Sequence, residues 1–212
     1  MYGRCFKRII DFFIAFVALV VLFPLLVALS CLGLIFMKGN PFFIQERPGK
    51  SEKIFRLLKF RTMDNRRDSR GELLPDGERL NCYGRLLRAT SLDELPELIN
   101  ILKGDMALVG PRPLLVRYLD RYTTEQRRRH AVRPGLTGYA QVHGRNQISW
   151  ENRLAMDVWY VENISLSLDI QILLKTVRCV IGRKGVHSEA SATMEEFMGT
   201  PENVTASWRP PF

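Results

Sequence analysis

The longest feature of the hydropathy pattern is the run from Phe12 to Met37, in which no side chain is charged. It is long enough to cross a bilayer once as a helix, yet it is not uniform. Pro24 stands near its middle, removing one helical hydrogen bond and crowding the preceding turn, so a kink or break is expected there. As a helix, Phe12 to Phe23 is only about 18 Å long, against a hydrocarbon core of about 30 Å. Basic residues flank the run on both sides, Arg4, Lys7 and Arg8 before it and Lys38, Arg47, Lys50 and Lys53 after it. The cytoplasmic preference of Lys and Arg then favours both ends on one side. A helix–break–helix that dips into one leaflet and returns satisfies both facts, and a kinked single span fits the composition equally well. A cleaved signal peptide fits poorly, because the run is too long and no small-x-small site follows it.

Beyond residue 38 the pattern becomes that of a globular chain. Asn40 to Arg61 reads as two extended pieces around Pro48-Gly49, a β-hairpin. Asp64 to Leu80 is polar and Gly/Pro-bearing, a mobile surface loop. Asn81 to Arg88 is a short helix. From Thr90 to Leu102 runs Thr-Ser-Leu-Asp-Glu-Leu-Pro-Glu-Leu-Ile-Asn-Ile-Leu, an amphipathic helix ending towards Gly104 as C-cap. Ser91 is expected as its N-cap, with Ser91-x-x-Glu94 a capping box. Leu114 to Tyr122 reads as a further helix. Thr123-x-x-Gln126 caps another that Pro134-Gly135 stops, and its Arg127-Arg128-Arg129 forms a solvated or lipid-facing basic face. Leu136 to Asn146 is Gly-punctuated, suited to a binding loop. Two helices follow, one from Ser149 through Tyr160 and one from Ser167 to Ile181. Residues 188–212 read as a loosely held tail. The fold class is therefore mostly α with a short β-hairpin. Residues 1–38 form a re-entrant membrane helical hairpin, and residues 39–187 a compact cytoplasmic domain carrying interfacial amphipathic helices.

Composition narrows the chemistry. A formal charge of +9 and a pI near 9.7 over 212 residues point to an anionic partner: nucleic acid, anionic lipid or a phosphorylated substrate. The four cysteines (Cys5, Cys31, Cys82, Cys179) are widely spaced, against a zinc site or a disulfide framework. His130 and His143 have no metal-ligand spacing. In the first turn of a helix Asp93 and Glu94 would be held ionised by free N–H groups and the dipole. An ionised Asp serves as nucleophile or hard-metal ligand, although acidic residues are common in helix first turns that do nothing. Gly110-Pro111-Arg112-Pro113 presents an arginine from a stiff backbone.

Taken in order, these pieces resemble the small form of the bacterial sugar transferases, in the monotopic phosphoglycosyl transferase superfamily. The resemblance rests on the basic–apolar segment with its central proline, Lys59-Phe60-Arg61-Thr62-Met63, Thr90 to Pro96, and Gly110 to Pro113. It continues through Arg133-Pro134-Gly135-Leu136-Thr137-Gly138, Gln141, Gly144-Arg145, Asp157, Tyr160 and Ser165-Leu166-x-x-Asp169. It covers residues 1 to 187. It implies transfer of a phospho-sugar from a uridine diphosphate sugar to polyprenyl (undecaprenyl) phosphate at the cytoplasmic face of the bacterial inner membrane, with uridine monophosphate released. The resemblance places the acidic dyad on Asp93 and Glu94, with Asp93 forming a covalent aspartyl phospho-sugar and lying near a Mg2+ cofactor. Lys59, Arg61, Arg88, Arg112, Pro113, Arg133, Gln141 and Arg145 become the substrate-binding candidates, each equally readable as a surface or structural residue. Asp157 and Asp169 are capable of binding metal or of pairing with arginine. One position departs from the family: a small hydroxyl residue is expected before the membrane proline, and Phe23 stands there, so the bend is less strongly fixed.

The alternative is a membrane-anchored basic protein that binds lipid or nucleic acid without turnover. Recognised nucleic-acid motifs are absent and the aromatics do not interleave with the arginines, so no nucleic-acid partner is expected. The apolar segment is capable of mediating a homodimer, but nothing specifies one. The sugar is not readable.

Overall fold

The structure, a computed structural model, describes residues 2–143, 148–182, 196–201 and 206–210. After a turn of π-helix, α1 (Lys7–Met37) runs through Pro24 without a non-helical residue. The expected break is thus absent as an interruption of the helix. One face of α1 is seated on the rest of the molecule along its whole length: Lys7, Asp11, Ala15, Leu29, Gly33 and Met37 are buried, with Ala18, Leu22 and Leu26 half-buried between them. Steps of three and four residues keep these positions on one side of a helix. The other faces expose Phe13, Phe16, Val17, Val21, Phe23 and Ile35. Polar bonds pin both ends. Lys7 pairs with Asp169 at 2.6 Å, Arg8 donates to the Ile101 and Leu102 carbonyls, and Tyr83 donates to the Leu29 carbonyl.

Strands β1 (Phe42–Pro48) and β2 (Ile54–Phe60) form the expected antiparallel hairpin, in a register that sets Phe43 opposite Lys59. The polar stretch after it contains a short helix α2 (Asp76–Arg79) and an isolated bridge between Arg67 and Leu73. Helices α3 (Cys82–Thr90) and α4 (Glu97–Lys103) follow, with Asn81 capping α3 and Gly104 (φ 92°) closing α4 as anticipated. Strand β3 (Ala107–Val109) pairs in parallel with β4 (Gly135–Thr137). This long-range pairing was not legible in the sequence. Between these strands the expected helix over Leu114–Tyr122 is only a 3-10 segment, Val116–Arg121, while the Thr123 capping box does open α5 (Thr124–Arg127). Helices α6 (Tyr139–His143), α7 (Trp150–Glu162) and α8 (Leu166–Ile181) complete the body.

The described parts of the C-terminal segment, residues 196–201 and 206–210, are less loose than its composition suggests. Phe197 is 1% exposed and packs on Tyr118, Tyr122 and Trp150, while Trp208 lies against Tyr139 and Trp159. Large aromatic side chains offset the cost of ordering a polar, Pro-rich stretch.

Candidate active site

Asp93 and Glu94 lie in one 3-10 turn, Leu92–Glu94, between α3 and α4. The capping box expected here does not form. Ser91 is left-handed (φ 57°, ψ 19°) and closes α3 as its C-cap, and its side chain caps nothing. The reason is Pro96, which has no N–H to give the Leu92 carbonyl. Leu95 donates to that carbonyl instead, and α4 begins only at Glu97, with Pro96 as N-cap.

Freed from capping, Glu94 turns to cations. Its Oε1 accepts from Lys59 Nζ at 2.9 Å and from Arg112 Nη2 at 2.6 Å, and Lys59 also reaches Glu97 Oε1 at 2.9 Å. Asp93 makes no hydrogen bond or ion pair among the described residues. The two neighbouring carboxyls therefore diverge. Burial alone would push Glu94 up, but Arg112 and Lys59 outweigh it and hold Glu94 well below the usual range. Burial and then the charge of Glu94 push Asp93 up to about 6, against the pull of Lys59, Arg112 and Arg88. Burial also raises Glu97 to about 7. The expectation of an Asp93 kept anionic by a helix dipole is corrected accordingly: one short turn supplies little dipole, and burial, followed by the charge of the adjacent Glu94, pushes the carboxyl up.

Backbone packing fixes where Arg112 stands. A Cβ on Gly110 would lie 2.5 Å from the Arg133 carbonyl oxygen, one on Gly135 would lie 2.1 Å from the Gly110 nitrogen, and one on Gly138 would lie 2.2 Å from the Gly110 carbonyl oxygen. Only glycines allow the 110–113 and 133–138 segments to press together this closely. Behind them Arg129 Nη2 donates to the Arg112 carbonyl at 2.6 Å and pairs with Asp157 at 2.7 Å. At 2% exposure Arg129 is no part of a solvated basic face. Arg127 pairs with Glu52, and Arg128 pairs with Glu125 and Glu162. Asp157 is thus a salt-bridge partner, as is Asp169, which takes Lys7, Tyr2 and Tyr160.

These groups face a cleft of about 1200 Å³. Lys59, Arg61, Arg88, Arg112 and Gln141 line it with Asp93 and Glu94. Arg88 donates to Thr62 Oγ1 at 3.0 Å, and Gln141 donates to the Leu136 carbonyl at 3.3 Å. Pro113 is buried behind the lining as part of the stiff support of Arg112. Arg133 is not among the lining residues: its Nε donates to the Gly104 carbonyl at 2.7 Å, closing the end of α4. Arg145 lies outside the described residues. Sequence reasoning passed over Arg47, Arg79 and Arg153, which also line the cleft. Arg47 was detectable in principle, because two-residue alternation puts it on the face of the hairpin that carries Phe43 and Lys59. Burial and the nearby Arg112 lower its pKa to about 10.

Residues 2–183 match the family described as bacterial sugar transferase. The chain belongs to the bacterial sugar transferase family. It is 56% identical over 163 residues to the uncharacterized sugar transferase EpsL of Bacillus subtilis, covering 76% of this chain and 81% of that protein. It is 36% identical over 200 residues to the exopolysaccharide production protein ExoY of Rhizobium meliloti, covering 86% and 88%. It is 37% identical over 203 residues to the undecaprenyl-phosphate galactose phosphotransferase of Salmonella typhimurium, covering 87% of this chain but 42% of that one. This sugar transferase chain thus spans most of EpsL and ExoY and under half of the Salmonella protein. Its packed Phe197 and Trp208 lie beyond the part that the family covers.

Proposed function

We propose that this bacterial sugar transferase moves a phospho-sugar from a uridine diphosphate sugar to polyprenyl phosphate at the cytoplasmic face of the inner membrane, through a covalent intermediate on Asp93. One observation carries the reading: of the adjacent pair, Glu94 is clamped by Lys59 and Arg112, while Asp93 faces a basic cleft with no partner among the described residues. A carboxylate left free beside fixed cations is placed to attack phosphorus rather than to hold the fold.

In the first displacement an Asp93 carboxylate oxygen forms a bond to the sugar-bearing phosphorus. The bond from that phosphorus to the bridging oxygen breaks, and uridine monophosphate leaves with the electron pair. In the second, an oxygen of the acceptor phosphate attacks the same phosphorus and Asp93 is released as carboxylate. Both displacements spread negative charge over phosphoryl oxygens, which Arg88 and Arg112 stand ready to offset without reorganising. Glu94 orients Lys59 and Arg112.

Among the described residues no group of three or more His, Cys, Asp or Glu side chains converges as a cation site. A lone free carboxylate nevertheless fits Mg2+, which accepts one or two protein carboxylates and completes its shell with water and substrate phosphates. Asp93 would hold the ion, whose contribution is to neutralise phosphoryl charge. The seating of α1 along one face supports a monotopic arrangement: both ends rest on the same body, and the apolar faces turned outward suit a single leaflet.

The test is Asp93→Asn in the full-length enzyme, with undecaprenyl phosphate and a panel of uridine diphosphate sugars. Uridine monophosphate release should fall by at least about a thousandfold, and no labelled adduct should form, while the melting transition stays put. A variant that keeps near-normal turnover refutes the assignment. Salt-sensitive lipid binding without nucleotide release in the unaltered enzyme would favour the binding-protein alternative instead.

A further inference from the structure

The cleft is chemically two-sided. The charged side chains of its lining come from the hairpin, the 61–80 segment and α3 (Arg47, Lys59, Arg61, Asp76, Arg79, Arg88), from Asp93, Glu94, Arg112 and Arg129, and from Arg153 and Asp157 of α7, whereas β4, α6 and α8 contribute no charged side chain. From α8 the lining takes Leu173, Thr176, Cys179 and Val180. The same helix exposes Leu166, Ile170, Leu174 and Val177, with Leu174 at 59% and Val177 at 56%. At 3.6 residues per turn, Leu166, Leu173, Val177 and Val180 fall within roughly 60° of one another. Val180, which is 41% exposed, belongs to both sets. The apolar outer stripe of α8 therefore runs without a charged interruption over the lip of the cleft and into its uncharged wall. Among the described lining residues of the hairpin, the 61–80 segment and α3, the exposed large apolar side chains are Phe43 and Leu73, which share those elements with the arginines.

A site that is basic on one wall and continuous with an exposed apolar stripe on the other matches an amphiphile with a phosphate head and a long hydrocarbon tail. Resting on the proposed transferase reading, we propose that the isoprenoid tail of the acceptor enters over Leu173 and Val180 of α8, while the donor nucleotide occupies the arginine-rich hairpin side. The tail lies along the uncharged wall with its phosphate turned to the arginines, and the remainder emerges onto the outer stripe, where the bilayer receives it. The two substrates of a two-step displacement then approach the same aspartate from different sides.

The experiment separates the two half-reactions. Full-length enzyme and Val180→Trp are compared in nanodiscs, first with donor alone, reading the burst of uridine monophosphate and the covalent adduct, then with undecaprenyl phosphate or geranyl phosphate as acceptor. Gln171→Trp, exposed on α8 but off the apolar stripe and outside the cleft, is the control. Val180→Trp should keep the donor-only burst and lose roughly tenfold or more in turnover with undecaprenyl phosphate, which is what excluding two buried methylene groups costs. With geranyl phosphate, whose tail is short, the loss should be smaller. Unchanged turnover with undecaprenyl phosphate overturns the proposal. So does an equal loss in the burst and in both acceptors, which would place the donor, or the fold, at Val180. A wild-type enzyme that gives no burst defeats the covalent two-step reading on which the proposal rests, a result distinguishable from either.

Discussion

Replacing Glu94 by Gln tests the division of labour between the two carboxyls most directly. Asp93 titrates at about 6, against an ordinary value of 3.8, a difference worth about 3 kcal/mol. Burial is the larger cause and the charge of Glu94 the next. Two unit charges about 4 Å apart at an effective dielectric constant near 20 interact by about 4 kcal/mol, and by correspondingly less at the wider spacing of neighbouring side chains. Removing the charge of Glu94 should therefore lower the Asp93 pKa by between about one and two pH units. The freed Lys59 and Arg112 pull in the same direction. At the same time the plateau rate should fall by about a hundredfold to a thousandfold, because both cations lose the anchor that aims them. The assay is the donor-only burst followed against pH. Omitting the acceptor matters, since a phosphate monoester has its own second pKa near 6 and would obscure the limb. The wild-type kcat/KM for burst formation should drop below pH 6, and that of Glu94→Gln only at lower pH. Glu97→Gln, which removes the carboxyl raised to about 7, should leave a step near 6. An acid limb that moves upward in Glu94→Gln would refute the argument, since it would make Glu94 a stabiliser of the Asp93 anion.

Two further outcomes concern the scaffold. Arg129→Met should cost about 3–5 kcal/mol of stability, because it leaves Asp157 buried and charged without its partner, and Arg129→Met combined with Asp157→Leu should recover much of that in a thermal melt. His130 is held neutral, its pKa lowered to about 3 first by burial and then by Arg129 and Arg127. The unfolded chain takes up this proton below about 6.5 while the folded one does not, so His130 contributes a loss of about 1.4 kcal/mol per pH unit on acidification through that window, opposed there by Asp93 and Glu97, whose raised values add stability as pH falls. His130→Gln should remove the His130 contribution, so that stability measured in denaturant titrations falls less, or rises, on acidification relative to the unaltered protein.

Local chemistry was enough to read several parts of this protein. The uncharged run with its central proline, the hairpin, the Thr123 capping box and the Gly104 cap depend on side chains within a few residues of one another, so period and punctuation reveal them. The Asp93-Glu94 pair and the stiff Arg112 were legible for the same reason. Tertiary structure decided everything that depends on distant partners. The parallel pairing of β3 with β4, the burial of Arg129 on Asp157 and the removal of Arg133 to the end of α4 join segments that no local pattern links. Most of all, it decided which carboxyl is free. Local pattern sets Asp93 and Glu94 side by side in one turn, and the arrival of Lys59 from the hairpin and Arg112 from the glycine-packed loop pairs Glu94 and leaves Asp93 facing the cleft without a partner among the described residues, because electrostatic fields are set by proximity in space rather than along the chain.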